Sequence, residues 1–151
     1  MDIFEEYISN NKCNPECRAL TCRSYGEVYK REHHEELKPT QHNYELATYG
    51  DALLKFALCS LLLDNCEQLS KKKEKYETDT FLIETVAKHY RLLEYMNFDR
   101  SDDNIPKCYK TFENKNTKYI ATTVEAVLGA IYRQNEDFQA ICNLVDCWMK
   151  L

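Results

Sequence analysis

Residues 43–54 read NYELATYGDALL, and residues 118–132 read KYIATTVEAVLGAIY. Within them, residues 47–52 set Asp51, and residues 121–126 set Glu125, among mostly small and apolar residues. Apolar residues recur at helical spacing through both stretches. In the first they are Leu46, Tyr49, Leu53, Phe56, Ala57 and Leu61. The pattern predicts two buried helices, over residues 42–65 and 117–133. Gly inside a helix costs about 1 kcal/mol relative to Ala. Gly50 and Gly129 therefore point to a close approach of two helix backbones, which would draw Asp51 and Glu125 together. A carboxylate on a mostly apolar helix is costly unless it is paired, hydrogen-bonded or bound to a metal. On the residues alone, two readings stand. Either Asp51 pairs with a lysine while Glu125 caps or bridges another helix, or the two acids share a metal.

Outward from these stretches, further helices are predicted. Residues 2–10 form a short amphipathic one with Ile3, Phe4, Tyr7 and Ile8 on one side. Pro15 suits the first turn of a short helix ending near Leu20. Residues 24–34 read as helical and charged. Lys71 to Lys75 is a charge cluster suited to a solvated loop or helix end. Thr78 or Asp79 can cap a helix through Met96, with Phe81, Leu82, Val86, Tyr90 and Leu93 inward. Residues 97–116 are polar, contain Pro106, and read as loop. Residues 137–150 form the last helix, with Phe138, Ile141, Leu144, Val145 and Trp148 inward.

The whole is an all-α chain forming one domain over residues 1–151, without internal repeats. Only three glycines and three prolines occur, too few for a turn-rich sandwich or barrel. A hydrophobic content of 44% excludes global disorder. The N-terminus has no basic stretch followed by an apolar run, and the longest apolar run, residues 57–63, is short of a membrane span. The expectation is a soluble, cytoplasmic protein with no membrane partner. The net charge of −5 argues against binding nucleic acid by bulk charge, since phosphate neutralisation favours basic proteins. Eight cysteines without an export signal read as free thiols. Cys13, Cys17 and Cys22 with His33 or His34 offer an alternative zinc set, in a spacing that matches no familiar motif.

Three segments resemble the ribonuclease III family. Residues 19–25, ALTCRSY, are similar to its ALTHRSY stretch, with Cys22 in place of histidine. Residues 43–54 resemble the signature NERLEFLGDAVL, and residues 118–132 resemble KxLADxFEALIGAIY. The resemblance implies a compact helical endonuclease domain that works as a homodimer. It would cleave structured or double-stranded RNA with Mg2+ or Mn2+, leaving 5′-phosphate and 3′-hydroxyl ends. Asp51 and Glu125 are then the metal ligands, and Lys118 and Asn43 match positions that support the site or the RNA.

The departures from the family are equally specific. Tyr44, Ala47 and Thr122 stand where it has further acids. Glu45 lies one position from a signature glutamate, about 100° away around the helix, so it cannot substitute. Thr48 replaces a phenylalanine that packs across the family's dimer. A small branch of the family, called Mini-III, has similarly reduced acids and lacks a double-stranded-RNA-binding domain, and the same single-domain organisation is expected here. Two carboxylates with waters and phosphates can hold one magnesium ion. Lys107, Lys110, Lys115 and Lys118 form one candidate basic strip, and Arg18, Arg23, Lys30 and Arg31 a second. The expected activity is metal-dependent RNA processing. The alternative is a catalytically reduced module that binds RNA or a protein partner.

Overall fold

The computed structural model describes residues 1–65, 67–100, 109, 111 and 117–151. Its architecture is all-α. The main helices are α1 (Ile3–Asn10), α2 (Gly26–His33), α3 (Tyr44–Leu62) and α4 (Leu69–Glu77). Helix α5 runs without a break through Asp79–Phe81, a π-helical stretch Leu82–Ala87, and Lys88–Tyr90. Helices α6 (Lys118–Asn135) and α7 (Phe138–Met149) complete the set. Single 3-10 turns occupy Arg18–Leu20 and Arg23–Tyr25. The Pro15 segment thus makes only the former turn, not a longer helix. Cys66, Pro106, Cys108, Lys107, Lys110, Lys115 and most of the loop expected over residues 97–116 lie outside the described residues.

Helices α3 and α6 cross at the centre, and α4 and α7 pack on α3. The crossing is a backbone contact. A Cβ built on Gly50 would lie 1.7 Å from the Glu125 carbonyl oxygen and 2.5 Å from its carbonyl carbon. No side chain fits there. A Cβ on Gly129 would meet the Gly50 nitrogen, the Leu46 oxygen and the Tyr49 ring, each at 3.2 Å. The close approach expected from the two glycines is present.

That contact also rotates α3. Its buried stripe is Leu46, Ala47, Gly50, Leu54, Ala57 and Leu58. Tyr49 and Phe56, expected inward, are 43% and 63% exposed. The small residues turn toward α6 because only they permit the crossing, and the aromatic face is carried outward. By length and composition Tyr44–Asn65 is apolar enough to cross a membrane, contrary to the expectation from its longest unbroken run, with a mean hydropathy of 1.5. In this fold it is the central helix, apolar on one face toward the core and in part on the other.

Three other expectations change. Residues 71–75, read as a solvated loop or helix end, are largely exposed but lie within helix α4. Helix α5 starts after Thr78, whose Oγ1 accepts from Phe81 N at 3.1 Å, but it ends at Tyr90 and not Met96. Arg91 is left-handed (φ 54°), which stops the helix and starts a 3-10 turn, Leu92–Glu94. Phe138 is only partly buried and stacks on Phe56, with ring centroids 4.8 Å apart.

The ends of the chain are tied together by one polar chain. Asp2 caps α1 by accepting from Phe4 N and Glu5 N. Its other oxygen accepts from the Tyr90 hydroxyl at 2.6 Å, and that hydroxyl accepts from Trp148 Nε1 at 3.0 Å. Phe4 packs edge-on against Trp148 above it.

Gly50→Ala is expected to cost about 3 kcal/mol or more, because helix backbones must separate to admit the methyl group. In a chain of this size that lowers the melting temperature by roughly 6–12 °C. Gly129→Ala should change stability by no more than about 1 kcal/mol, since its contacts are merely tight and Ala regains helix propensity. Thermal denaturation of both variants measures the contrast; equal effects would contradict the crossing geometry.

Candidate active site

Asp51 follows Gly50 directly on α3, and Glu125 is the α6 residue whose carbonyl Gly50 touches. The crossing therefore sets both acids at one place. They line a cavity of about 300 Å³. Tyr44, Ala47 and Thr122, which stand where further acids were expected, open into the same cavity, as does Thr48. Two more acids join from the junction of α4 and α5, Glu77 and Asp79. The sequence reading passed over both. Glu77 ends a run of charges that read as surface, and Asp79 was weighed only as a helix cap. Local pattern carries no signal for either, because only the packing of α4 on α3 brings them to the cavity.

Burial and neighbouring charge act in the same direction in the cavity. Burial, then the neighbouring Asp51, then Asp79, push the Glu125 carboxyl up to about 8, and a hydrogen bond shared with Asp51 adds to the effect. Lys55 works in the opposite direction. Its Nζ donates to Asp51 Oδ2 at 2.9 Å. The lysine pairing open to Asp51 from the sequence is thus present, alongside the shared site with Glu125. Glu77 is paired with Lys73 at 2.8 Å. Lys118, exposed at the start of α6, stands on the cavity rim.

Asn43 supports the site from behind. It is 2% exposed. Its Nδ2 donates to the Ala19 carbonyl at 3.0 Å and to Thr123 Oγ1 at 2.9 Å. Its backbone N–H donates to the Thr21 carbonyl. The N-terminus of α3 is thereby fixed to α6 just before the two acids diverge from the crossing. His42 provides the local cap: its Nδ1 accepts from Tyr44 N at 3.4 Å. Burial, then Arg23 and Arg18, hold this imidazole below its usual range, which keeps that nitrogen available as an acceptor.

The alternative zinc set does not assemble. Cys13 donates to the Glu94 carbonyl, Cys17 meets the Tyr7 hydroxyl, and Cys22 meets Thr123 Oγ1. Burial pushes the Cys22 thiol up to about 12, far from the thiolate a metal needs. His33 stacks on Tyr29. The described cysteines Cys13, Cys17, Cys22, Cys59, Cys142 and Cys147 are free. Among the described residues no group of three or more His, Cys, Asp or Glu side chains is placed to hold a metal ion.

The fold is all-α, and its two central helices meet at a Gly-Asp step and a glutamate. The Ribonuclease III domain profile matches residues 44–136, which is more than half of the chain. The chain belongs to the ribonuclease III family. No curated protein and no solved structure matches it.

The raised Glu125 carboxyl makes a directional prediction for metal-free protein. The folded chain keeps a proton that the unfolded chain has lost between its ordinary pKa of 4.5 and about 8. The stability contributed by that proton is therefore full below the unfolded value and is lost as pH rises through about 8. Thermal melts in chelator should show Glu125→Gln melting several degrees above the parent at pH 9 and with it at pH 4. Parallel curves across that range would show that Glu125 is not crowded.

Proposed function

We propose that this chain is a divalent-metal-dependent endoribonuclease that cleaves structured or double-stranded RNA as a homodimer. The observation that carries the reading is the convergence of Asp51 and Glu125 on one open cavity, which Glu77 and Asp79 also line. Oxygen donors in an anionic pocket suit magnesium, which is commonly held by one or two carboxylates plus water and substrate phosphates. Asp51 and Glu125 would hold it, with Glu77 and Asp79 adding charge around it. When bound, the ion supplies Lewis-acid polarisation of the phosphate and a water acidic enough to act as nucleophile.

The chain's own residues do the rest. Glu125 must release its proton before it can ligate, so burial and its acidic neighbours couple metal uptake to pH. Lys118 offers an exposed cation on the rim for an RNA phosphate. In the hydrolysis, the water oxygen bonds to phosphorus and the P–O3′ bond breaks. The leaving 3′ oxygen takes a proton, giving 5′-phosphate and 3′-hydroxyl ends. The homodimer reading rests on the outer face of α3 and the 3-10 turn Leu63–Asn65 that follows it, where Tyr49, Phe56 and Leu63 are all exposed. Apolar side chains aligned on one helix face are what a second copy would cover. Thr48, also exposed, supplies no aromatic there.

A second reading, a module that binds RNA without cutting it, is favoured by Tyr44, Ala47 and Thr122 in the cavity wall and by Asp51 being already paired with Lys55. Cleavage of end-labelled duplex RNA in Mg2+ separates the two. Asp51→Asn and Glu125→Gln should each lower kcat by at least a hundredfold, with RNA affinity little changed. Binding without cleavage by the parent would establish the second reading. Sedimentation of the parent and of Phe56→Lys tests the dimer: the parent should sediment as a dimer and the variant as a monomer.

A further inference from the structure

An aromatic ring and a guanidinium meet at the cavity mouth, and the reading above gives neither a task. Tyr44, the first residue of α3, lines the cavity together with Asp51 and Glu125 and is 53% exposed. The guanidinium of Arg23, also exposed, lies over the Tyr44 ring, 5.7 Å from its centroid. What aligns the two is buried beneath them. Arg23 follows Cys22, which is 1% exposed and whose thiol meets Thr123 Oγ1 at 3.4 Å. Tyr44 follows Asn43, whose Nδ2 donates to the same Thr123 Oγ1 at 2.9 Å. The Cys22 N–H is tied in turn to the Asn97 carbonyl at 2.9 Å. A single hydroxyl of α6, one turn of chain before Glu125, thus fixes the backbone under both the ring and the cation. Their place relative to the two acids is set by the core, as a binding site requires.

We propose that Tyr44 and Arg23 form a nucleotide subsite of the cavity: the ring stacks on an unpaired base adjoining the cleaved phosphate, and the guanidinium binds a phosphate of the same stretch. The substrate class is then RNA whose duplex is interrupted by an unpaired nucleotide, and the inference rests on the endoribonuclease reading for the cleaved phosphate alone. Geometry supports it first. Tyr44, Ala47, Thr48 and Asp51 all line the cavity at helical spacing on α3, which sets the ring about 10 Å along the axis from Asp51. A neighbouring nucleotide fits that offset. Bases inside a duplex cover one another's faces, whereas unpaired bases stack on aromatic rings and arginine planes. Charge supports it next. The cavity is lined by Asp51, Glu77, Asp79 and Glu125, and the chain carries a net charge of −5, so attraction for the RNA backbone is weak. Stacking draws on the face of a base, not on its charge. Arg23 adds a local cation in the planar form that grips phosphate at two points.

The test uses two RNA hairpins of one sequence, one fully paired and one with a single unpaired 2-aminopurine in the stem. Binding to the full chain is measured with Ca2+ in place of Mg2+, and cleavage of both hairpins is measured separately in Mg2+. The parent should bind the interrupted hairpin at least tenfold more tightly than the paired one and quench its 2-aminopurine fluorescence. Tyr44→Phe should keep the preference and the quenching, and Tyr44→Ala should lose both. Arg23→Ala should lower the slope of log affinity against log salt by about one. Equal binding of the two hairpins by the parent would overturn the proposal, as would preference and quenching that survive in Tyr44→Ala. An unchanged salt slope in Arg23→Ala would remove Arg23 from the subsite. If the parent prefers and quenches the interrupted hairpin yet cleaves neither, the subsite stands and the nuclease reading fails. If it cleaves both hairpins at one rate and binds them equally, the nuclease reading stands and the subsite fails. Binding of neither hairpin sinks both.

Discussion

Everything in this fold depends on two helices touching through their backbones. At Gly50 the chain has no room for even one carbon, because the carbonyl of Glu125 occupies its place. That contact selects the small-residue face of α3 for burial and turns its aromatic face outward. It also fixes the chemistry. One acid is the next residue after the contact on one helix, and the other is the contacting residue on its partner. Their meeting is a property of the main chain, reinforced by Asn43 bridging the two helices behind them.

The same contact creates a charge problem. Carboxylates are brought together in a half-buried cavity where like charges weaken one another's ionisation. Two partial answers are built in, a proton on Glu125 and the Lys55 ammonium on Asp51. A divalent ion would be a third, and it must displace or coexist with the other two.

The central architecture was legible from the sequence because backbone contact leaves a mark that single residues reveal. Glycine inside a helix is costly, so Gly50 and Gly129 announced the crossing and with it the pairing of Asp51 with Glu125. Helix existence followed from periodicity. What periodicity does not encode is rotation: Tyr49 and Phe56 fit an inward stripe as well as Leu54 and Leu58 do, and only the crossing decides between them. The end of α5 escaped for a related reason, since Arg91 carries no local signal for a left-handed turn. Glu77 and Asp79 escaped because one reads as an ordinary surface charge and the other as a helix cap. Their meaning comes from three helices converging, a relation of tertiary structure.

The separation of scaffold from side chains has a historical consequence. The elements that hold the site in shape are glycines, a buried asparagine and a threonine, none of which carries charge. Tyr44, Ala47 and Thr122, which stand where the resemblance would have acids, lie on the cavity wall, and Tyr44 there is 53% exposed. A lineage could therefore lose or regain acids at positions 44 and 122 one substitution at a time without refolding anything. The catalytic strength of such a domain can drift in either direction while its architecture stays put, so shape preserves an ancestry that its present chemistry need not.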